Sequence, residues 1–266
     1  MSAAPAPVPS LLAVFAHPDD ESLVAGGVLA QHAASGARTS VLTTTWAPDS
    51  HRAAELGEAV RVLGAGRPRM LGYADARVPE SAPGAPRFLD VPLDEAVGRL
   101  VGHLRDFRPD IVVTHDAYGG LTGHPDHVHT HRTTLLAVHA AGLEHHAPES
   151  GPPWQPRALY LATHPHSGVG DLGPLLTRVG KAVRSVPEEH VTAAVDVRPW
   201  LERKWSAILA HRSEVERPRP LPGALSRLPA EDRDRIIATE YFTRLDARPD
   251  GGPEGGPERR RARLEA

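Results

Sequence analysis

Short apolar or β-branched segments alternate along this chain with longer segments whose apolar residues recur at helical spacing. The strand-like segments include residues 11–15, 39–45 and 110–114. The helix-like segments include 52–63 and 93–107. Strands joined through helices pair in parallel and carry helices on both faces of the sheet. The alternation therefore predicts an α/β fold, a Rossmann-like three-layer sandwich with a mostly parallel sheet.

The remaining segments continue the same alternation. A helix is expected after residue 21, ending near Gly36. Further expected elements are a strand at 70–73, a helix at 130–141, a strand at 158–163 and a region containing a helix at 195–210. A chain of 266 residues suits one large domain better than two. We expect a single domain over 1–246 and a disordered tail over 247–266, where Pro, Gly, Glu and Arg lack apolar periodicity.

The composition excludes several classes of function. The formal net charge is −3, so no overall field attracts nucleic acid or an anionic membrane. The first apolar run is too short for a signal core or a membrane span, which makes a cytoplasmic location the default expectation. The chain has no cysteine and 16 histidines. A metal ion would therefore have to be held by histidine and carboxylate side chains.

Histidine and carboxylate residues directly follow the first predicted strand. The segment AHPDDE occupies residues 16–21, at the carboxyl end of a strand, where open α/β sheets bind their ligands. His17 and Asp20 are three residues apart in a loop that enters a helix, so both can turn toward one metal ion. Asp19 is not used as a metal ligand in this arrangement and is available as a base.

A second histidine-containing segment, GGLTGHPDH, occupies residues 119–127 and follows another predicted strand of the same sheet. If His127 joins His17 and Asp20, the ion has three protein ligands and an open position for water, as in catalytic zinc sites. His124 is then available for acid or electrostatic catalysis. Either segment alone is also explained as a Pro-containing turn that caps a helix. Two such segments after two strands favour a metal centre.

The two segments match the signatures of a known family. The chain resembles the LmbE-like, or PIG-L, family of zinc-dependent N-deacetylases over about residues 11–143. The RAAEL segment that begins at Arg52 is similar to an Arg-containing helix of the family, and LGYAD, which ends at Asp75, to the loop that follows. The stretch 110–131 is particularly similar to two mycothiol-pathway members, the N-acetylglucosaminyl-inositol deacetylase and the mycothiol conjugate amidase.

The resemblance implies three groups of site residues. They are the metal ligands His17, Asp20 and His127, the catalytic residues Asp19, His124 and Asp126, and the sugar-binding residues Arg52 and Asp75. In this scheme Asp19 is the base, and His124 polarises the carbonyl or stabilises the oxyanion while Asp126 orients it. The implied cofactor is Zn²⁺, with Fe²⁺ as an alternative.

Two departures from the family pattern concern the substrate. Thr122 stands where the glucosaminyl-inositol deacetylase has a Tyr that assists at the oxyanion. The segment WAPDS, residues 46–50, replaces the common Gly-Glu pair after the second strand. A mycothiol-conjugate-type amidase or a natural-product N-deacetylase is therefore an alternative within the family.

These observations lead to a hydrolase hypothesis. A metal-activated water, losing its proton to Asp19, attacks the amide of an N-acylated amino sugar or a similar small molecule, and the acyl group is expected to be acetyl. The expected partner is this small-molecule substrate, without nucleic acid or membrane, and a homo-oligomer stays open. Residues 163–170 are the candidate segment for covering the pocket.

Two other classes of protein compete with this hypothesis. A non-haem Fe(II) oxygenase also binds its metal through two histidines and one carboxylate. Such enzymes use a β-rich scaffold, however, and the additional Asp19 suits hydrolysis better. A catalytically silent sugar-binding module is the alternative outside enzymes. The presence of Asp19 beside all three expected ligands favours turnover.

Overall fold

A computed structural model describes residues 8–247, and one mixed sheet organises this part of the chain. The strands are β1 (Leu11–Phe15), β2 (Thr39–Thr45), β3 (Arg69–Tyr73), β4 (Ile111–His115), β5 (Ala158–Thr163), β6 (Ala193–Asp196) and β7 (Thr239–Asp246). Their order across the sheet is β3-β2-β1-β4-β5-β7-β6. The first five strands pair in parallel, whereas β7 runs antiparallel to β5 and β6. The predicted mostly parallel sheet is confirmed.

Helices cover both faces of the sheet. They are α1 (Asp20–Val24), α2 (Gly26–Ala34), α3 (His51–Leu63), α4 (Leu93–Phe107), α5 (Pro125–Ala140), α6 (Leu172–Arg178), α7 (Leu201–Ala210), α8 (Arg212–Val215), α9 (Leu221–Leu225) and α10 (Ala230–Ile237). Leu12 and Val14 of β1 pack with α4 and α5, while Leu11, Ala13 and Phe15 pack with α2, α3 and α7. Successive residues of the central strand thus enter opposite cores, and the three-layer architecture is confirmed.

Most predicted elements are present, and the differences have local causes. The segments 11–15, 39–45, 93–107 and 158–163 have the predicted bounds. Helix α5 begins at Pro125 rather than at residue 130, because proline is favoured in the first helical turn and His124 caps the helix. The antiparallel strands β6 and β7 were not predicted.

The helix predicted after residue 21 is broken into α1 and α2 at Ala25. The carboxylate of Glu240, on β7, accepts the N–H groups of Gly27 and Val28 at 2.7 and 2.9 Å. Lys204 of α7 places its Nζ 2.8 Å from Glu240 Oε1. A buried ion pair therefore holds the N-terminus of α2, where a negative charge is stabilised by the exposed N–H groups.

Some predictions concern the ends of the chain. The predicted disordered tail, residues 247–266, lies outside the described residues except for Ala247. The single domain over 1–246 stays a prediction, which the participation of every described strand in one sheet supports. None of the helices described here is both long enough and apolar enough to cross a bilayer.

Candidate metal centre

The two histidine-containing segments meet where the adjacent parallel strands β1 and β4 end. His17 follows β1, Asp20 begins α1, and His127 lies in the first turn of α5. His17 Nδ1 lies 3.1 Å from His127 Nε2 and 3.4 Å from Asp20 Oδ2. His127 Nε2 lies 3.3 Å from Asp20 Oδ1. The structure thus brings together the three side chains predicted as metal ligands.

Contacts on the far side of the two imidazole rings orient their inner nitrogens. His17 Nε2 lies 3.0 Å from Asp75 Oδ2 and 3.2 Å from Asp126 Oδ2. His127 Nδ1 lies 3.2 Å from the Gly119 carbonyl oxygen. Oxygen acceptors at these outer nitrogens assign protons to them and leave lone pairs on the inner nitrogens. The inner nitrogens are 3.1 Å apart, so both face one position that either a metal ion or the proton of a charged His17 can occupy.

The separations between the donor atoms fit a tetrahedral zinc ion. Zinc binds imidazole nitrogen and carboxylate oxygen at about 2.0–2.2 Å, so neighbouring ligand atoms are about 3.4 Å apart. The two inner nitrogens are 3.1 Å apart, and each lies 3.3–3.4 Å from one oxygen of the Asp20 carboxylate, His127 Nε2 from Oδ1 and His17 Nδ1 from Oδ2. Two imidazoles and one carboxylate, without a thiolate, also suit ferrous iron. These residues can therefore hold a divalent transition-metal ion.

The surrounding carboxylates favour a positive charge at this centre. Burial opposes a charge on His17, but hydrogen bonds with Asp126, Asp20 and Asp75 outweigh burial. They raise the pKa of His17 well above its ordinary value. Burial also opposes ionisation of Asp20, but the neighbouring imidazoles outweigh it and lower the pKa of that carboxyl well below its usual range. The environment stabilises a cation beside an ionised Asp20.

Asp19, the predicted base, has a strained backbone conformation. Its φ is 133°, a value that residues with a Cβ rarely adopt. Its N–H donates to Glu21 Oε2 at 3.0 Å, and its Oδ1 lies 3.0 Å from Arg52 Nη2. Burial raises the pKa of Asp19 to about 7, although the Arg52 guanidinium acts in the opposite direction. A carboxyl group with a pKa near neutrality is suited to proton transfer at neutral pH.

His124 lies beside His17 as a neutral imidazole. The two ring centroids are 4.7 Å apart in an edge-to-face arrangement. Burial, together with the charge of His17, lowers the pKa of His124 to about 4. Its Nδ1 accepts the Asp126 N–H at 3.2 Å, which places the ring proton on Nε2. His124 can therefore donate a hydrogen bond at neutral pH, as stabilisation of an oxyanion requires.

The carboxylate of Asp126 has a different partner from the one that the resemblance implies. Its Oδ2 lies 3.2 Å from His17 Nε2 but 3.8 Å from His124 Nδ1. The same oxygen accepts the Ala76 N–H at 3.0 Å. Nδ1 of His124 already accepts a backbone N–H, so it has no proton to give this carboxylate. That Asp126 orients His124 stays a prediction, and the closer contact of its carboxylate is with His17, one of the predicted metal ligands.

The two residues predicted to bind sugar are buried and already have protein partners. Arg52 Nη1 lies 3.4 Å from Glu214 Oε1, in addition to its contact with Asp19. Asp75 lies 3.0 Å from His17 Nε2 and accepts two backbone N–H groups from the residues that follow it. Both side chains border the centre, and a sugar contact stays a prediction for each.

His115, which sequence reasoning did not select, belongs to the same cluster. It ends β4, and its Nε2 lies 3.4 Å from Asp20 Oδ2. Its ring stacks on His127 with centroids 3.9 Å apart, and its Nε2 accepts the Ala16 N–H at 3.3 Å. Asp20, His115 and His127 form one possible ligand group, and two others combine His17 and His124 with His127 or with Asp75 and Asp126. The available signal was position, since this histidine follows the predicted strand 110–114 at the edge that carries His17.

Two segments of the C-terminal half support the loop that precedes His124. The hydroxyl of Thr163, in the predicted covering segment, donates to Asp116 Oδ2 at 2.7 Å. Asp116 Oδ1 in turn accepts the Gly120 N–H at 2.8 Å. The second segment was not predicted: the Arg184 N–H donates to the Leu121 carbonyl at 2.7 Å.

Comparison with known proteins agrees with this geometry. A family model described as PIG-L, GlcNAc-PI de-N-acetylase, matches residues 12–138. The 1D-myo-inositol 2-acetamido-2-deoxy-alpha-D-glucopyranoside deacetylase of Rhodococcus opacus (strain B4) is 39% identical over 240 residues, covering 77% of this chain and 81% of the relative. The matched region contains both histidine segments.

Two solved structures share the fold over most of the chain. A conserved protein from Thermus thermophilus has a TM-score of 0.62 and 26% identity, covering 88% of this chain and 94% of that chain. The N,N'-diacetylchitobiose deacetylase from Pyrococcus horikoshii has a TM-score of 0.61 and 20% identity, covering 90% and 84%. The second likeness shows the fold alone.

Proposed function

This chain belongs to the PIG-L family, and from that premise we propose that it is a zinc-dependent N-deacetylase acting on a small molecule that contains N-acetylglucosamine. One observation supports the proposal above all. The inner nitrogens of His17 and His127 face each other at 3.1 Å and each lies 3.3–3.4 Å from an oxygen of the Asp20 carboxylate, while the outer nitrogens have their own acceptors. Asp19, a buried carboxyl group next to these ligands, is the additional group that hydrolysis requires.

A divalent cation held by His17, Asp20 and His127 would polarise an amide carbonyl and lower the pKa of a water molecule. Asp19 accepts the proton of the attacking water, because burial makes its carboxylate more basic than an exposed one. The water oxygen bonds to the carbonyl carbon, and the carbonyl oxygen gains negative charge. The Nε2–H of His124 donates a hydrogen bond to that oxygen.

Collapse of the tetrahedral species completes the reaction. The carbon–nitrogen bond breaks, and the proton held by Asp19 passes to the leaving amine nitrogen. The products are acetate and a free amino sugar. In this proposal Arg52 and Asp75, at the border of the centre, contact sugar hydroxyls.

We propose the substrate class from the relatives, and two residues of this chain are candidates for setting the finer preference. The relative from Rhodococcus opacus is named a deacetylase of an N-acetylated glucosaminyl-inositol. In this chain Trp46 is buried at the end of β2, and the Arg52 guanidinium lies 4.7 Å from its ring. Trp46 and Thr122 belong to the two departures from the family pattern. We therefore include the glucosaminyl-inositol amide in the proposed class and expect these two residues to adjust the preference.

Acetate release tests the proposal. Chelated protein is assayed on N-acetylglucosaminyl-inositol and on N-acetylglucosamine, before and after Zn²⁺ or Fe²⁺ is restored. We expect acetate only after metal is restored, and none from Asp20→Asn at the same metal concentration. Asp94→Asn, the same change at an exposed site on α4, serves as the matched control and should behave as wild type. Sugar binding without turnover under saturating metal would instead support the binding-module alternative.

A further inference from the structure

We infer that His211 and Glu214, where α7 meets α8, are positioning residues for Asp19. This inference rests on the proposed function, in which Asp19 is the base. Both residues are buried, with exposed fractions of 0% and 5%. They lie beyond residue 138, where the match to the family model ends. The two reach Asp19 by separate routes, one through its backbone and one through its side chain.

The backbone route runs from His211 through Glu21. His211 Nε2 donates to Glu21 Oε1 at 2.8 Å, and the Ser22 hydroxyl donates to the same oxygen at 2.5 Å. The other oxygen, Glu21 Oε2, accepts the Asp19 N–H at 3.0 Å. Asp19 has a φ of 133°, and such a conformation persists only when the surroundings hold it. The hydrogen bond from His211 fixes the Glu21 carboxylate in the position in which its other oxygen accepts the Asp19 N–H.

The side-chain route runs from Glu214 through Arg52. One guanidinium nitrogen, Nη2, contacts Asp19 Oδ1 at 3.0 Å and also donates to the Pro18 carbonyl oxygen. The other, Nη1, lies 3.4 Å from Glu214 Oε1. A guanidinium is a planar fork, so fixing one branch at Glu214 sets the direction in which the other meets Asp19. The ring of Trp46 lies against the guanidinium at 4.7 Å from its centroid and limits its rotation.

One rigid turn carries both residues. The Glu214 N–H donates to the His211 carbonyl at 3.0 Å. Between them, the N–H and hydroxyl of Ser213 each donate to the Glu55 carboxylate at 2.8 Å. Glu55 and Arg52 lie on the same helix, α3. The turn that carries His211 and Glu214 is therefore bound, at Glu55, to the helix that carries Arg52.

Stability alone is a weak reason for this arrangement. Burying charged groups costs desolvation, and apolar side chains of similar volume often stabilise a fold as well or better. The two routes instead end on the N–H and the carboxylate of one strained residue. That convergence favours a positioning role, since small displacements of a reacting group cost large factors in rate.

Steady-state kinetics and amide exchange test the inference. His211→Leu and Glu214→Leu remove the polar contacts, whereas His211→Gln and Glu214→Gln introduce an amide that can still form a hydrogen bond. We expect the Leu variants to lower kcat by about tenfold or more, with KM and bound zinc per chain unchanged, and the Gln variants to recover part of the loss. Ser213→Ala removes one hydroxyl of the same turn but keeps the Ser213 N–H on Glu55 and both routes to Asp19, so kcat should stay within about twofold.

Amide hydrogen exchange in the metal-free protein provides a readout independent of activity. We expect the Asp19 amide to exchange faster in His211→Leu and at the wild-type rate in Ser213→Ala. If a Leu variant does not fold, the Gln variant at that position is judged by the same two measurements. Wild-type kcat and exchange in the variants, or an equal loss in Ser213→Ala, overturns the inference. If wild-type protein releases no acetate, the proposed function fails, and the exchange rates still show whether His211 holds residue 19.

Discussion

Two buried ionic groups differ in how completely their polar atoms are paired. In the pair on the β7 side of the sheet, Lys204 Nζ contacts Glu240 at 2.8 Å and the Ile237 carbonyl at 3.1 Å. Both oxygens of Glu240 accept N–H groups of α2. At the metal centre, by contrast, Asp126 Oδ1, Arg52 Nε and His211 Nδ1 are buried without a hydrogen-bond partner among the described residues. Of these two groups, the one where chemistry is proposed is therefore the one that leaves buried polar atoms unpaired.

The two groups also differ in charge balance and backbone strain. The Lys204–Glu240 pair joins one cation to one anion. The centre gathers four carboxylates, those of Asp19, Asp20, Asp75 and Asp126, and includes a residue with a φ of 133°. The first group holds the N-terminus of α2, whereas the second contains groups in unfavourable states that a cation and a substrate could use. Substitutions in the first group should therefore lower the free energy of unfolding, and substitutions in the second should lower activity or metal affinity.

The largest effect on activity is expected from Asp19→Asn. Removing a general base typically costs about 10²–10⁴-fold in rate, so kcat should fall within that range. The free energy of unfolding should not decrease, because burial disfavours the ionised carboxylate. Acetate assays and chemical denaturation measure the two quantities. Full activity with zinc bound would exclude Asp19 as the base.

Lys204→Met should have the largest effect on stability. It leaves the Glu240 carboxylate buried without its cation, which costs about 3–5 kcal/mol in the free energy of unfolding. The rate per folded molecule should stay unchanged. Denaturant titration checks the first expectation, with Arg203→Met, at an exposed position on the same helix, as the control. Loss of kcat without loss of stability would remove the distinction between the two groups.

Asp126→Asn should weaken metal binding by about 10–100-fold, the usual effect of losing the partner that orients a ligating histidine. The physical reason is the contact of Asp126 Oδ2 with His17 Nε2 at 3.2 Å. Competition with a chelator of known affinity measures the change. Unchanged zinc affinity with a lower kcat would instead show that Asp126 acts on His124, as the family resemblance implies.

The fourth expected effect is the pH dependence of the wild-type enzyme, which is small near neutrality and grows as the pH falls. Asp19 must be ionised to accept a proton, so kcat/KM should fall as the pH decreases through the pKa of this group, by up to about tenfold per pH unit. Burial raises that pKa to about 7, and a cation bound beside it would move the midpoint lower. A profile from pH 5 to 9 tests this. Constant activity down to pH 5 would contradict it.

The sequence predicted the first half of the molecule more completely than the second. Apolar runs and helical spacing identified β1, β2, α4 and β5 with their observed bounds. The strands β6 and β7 were missed, because they pair antiparallel at one side of the sheet and their sequences lack a distinctive alternation. Such pairing depends on neighbours elsewhere in the chain, which override local preference.

The residues of the candidate site were likewise predicted only in part from the sequence. His17, Asp20 and His127 could be selected from sequence, because each follows a predicted strand at the same edge and has the right donor atom. His115 was missed although its position, one residue past a predicted strand, was informative. The role proposed for His211 had no local signal, since 190 residues separate it from Glu21.

The sequence by itself determined which chemical groups this protein brings to one edge of its sheet. Strand and helix periodicity depend on neighbouring residues, and parallel strands must end on the same side. Only the tertiary structure decided which group contacts which. Asp126 Oδ2, for example, lies 3.2 Å from His17 Nε2 and 3.8 Å from His124 Nδ1. Differences of that size are set by how α5 packs against the sheet, because close-packed side chains leave few alternative positions.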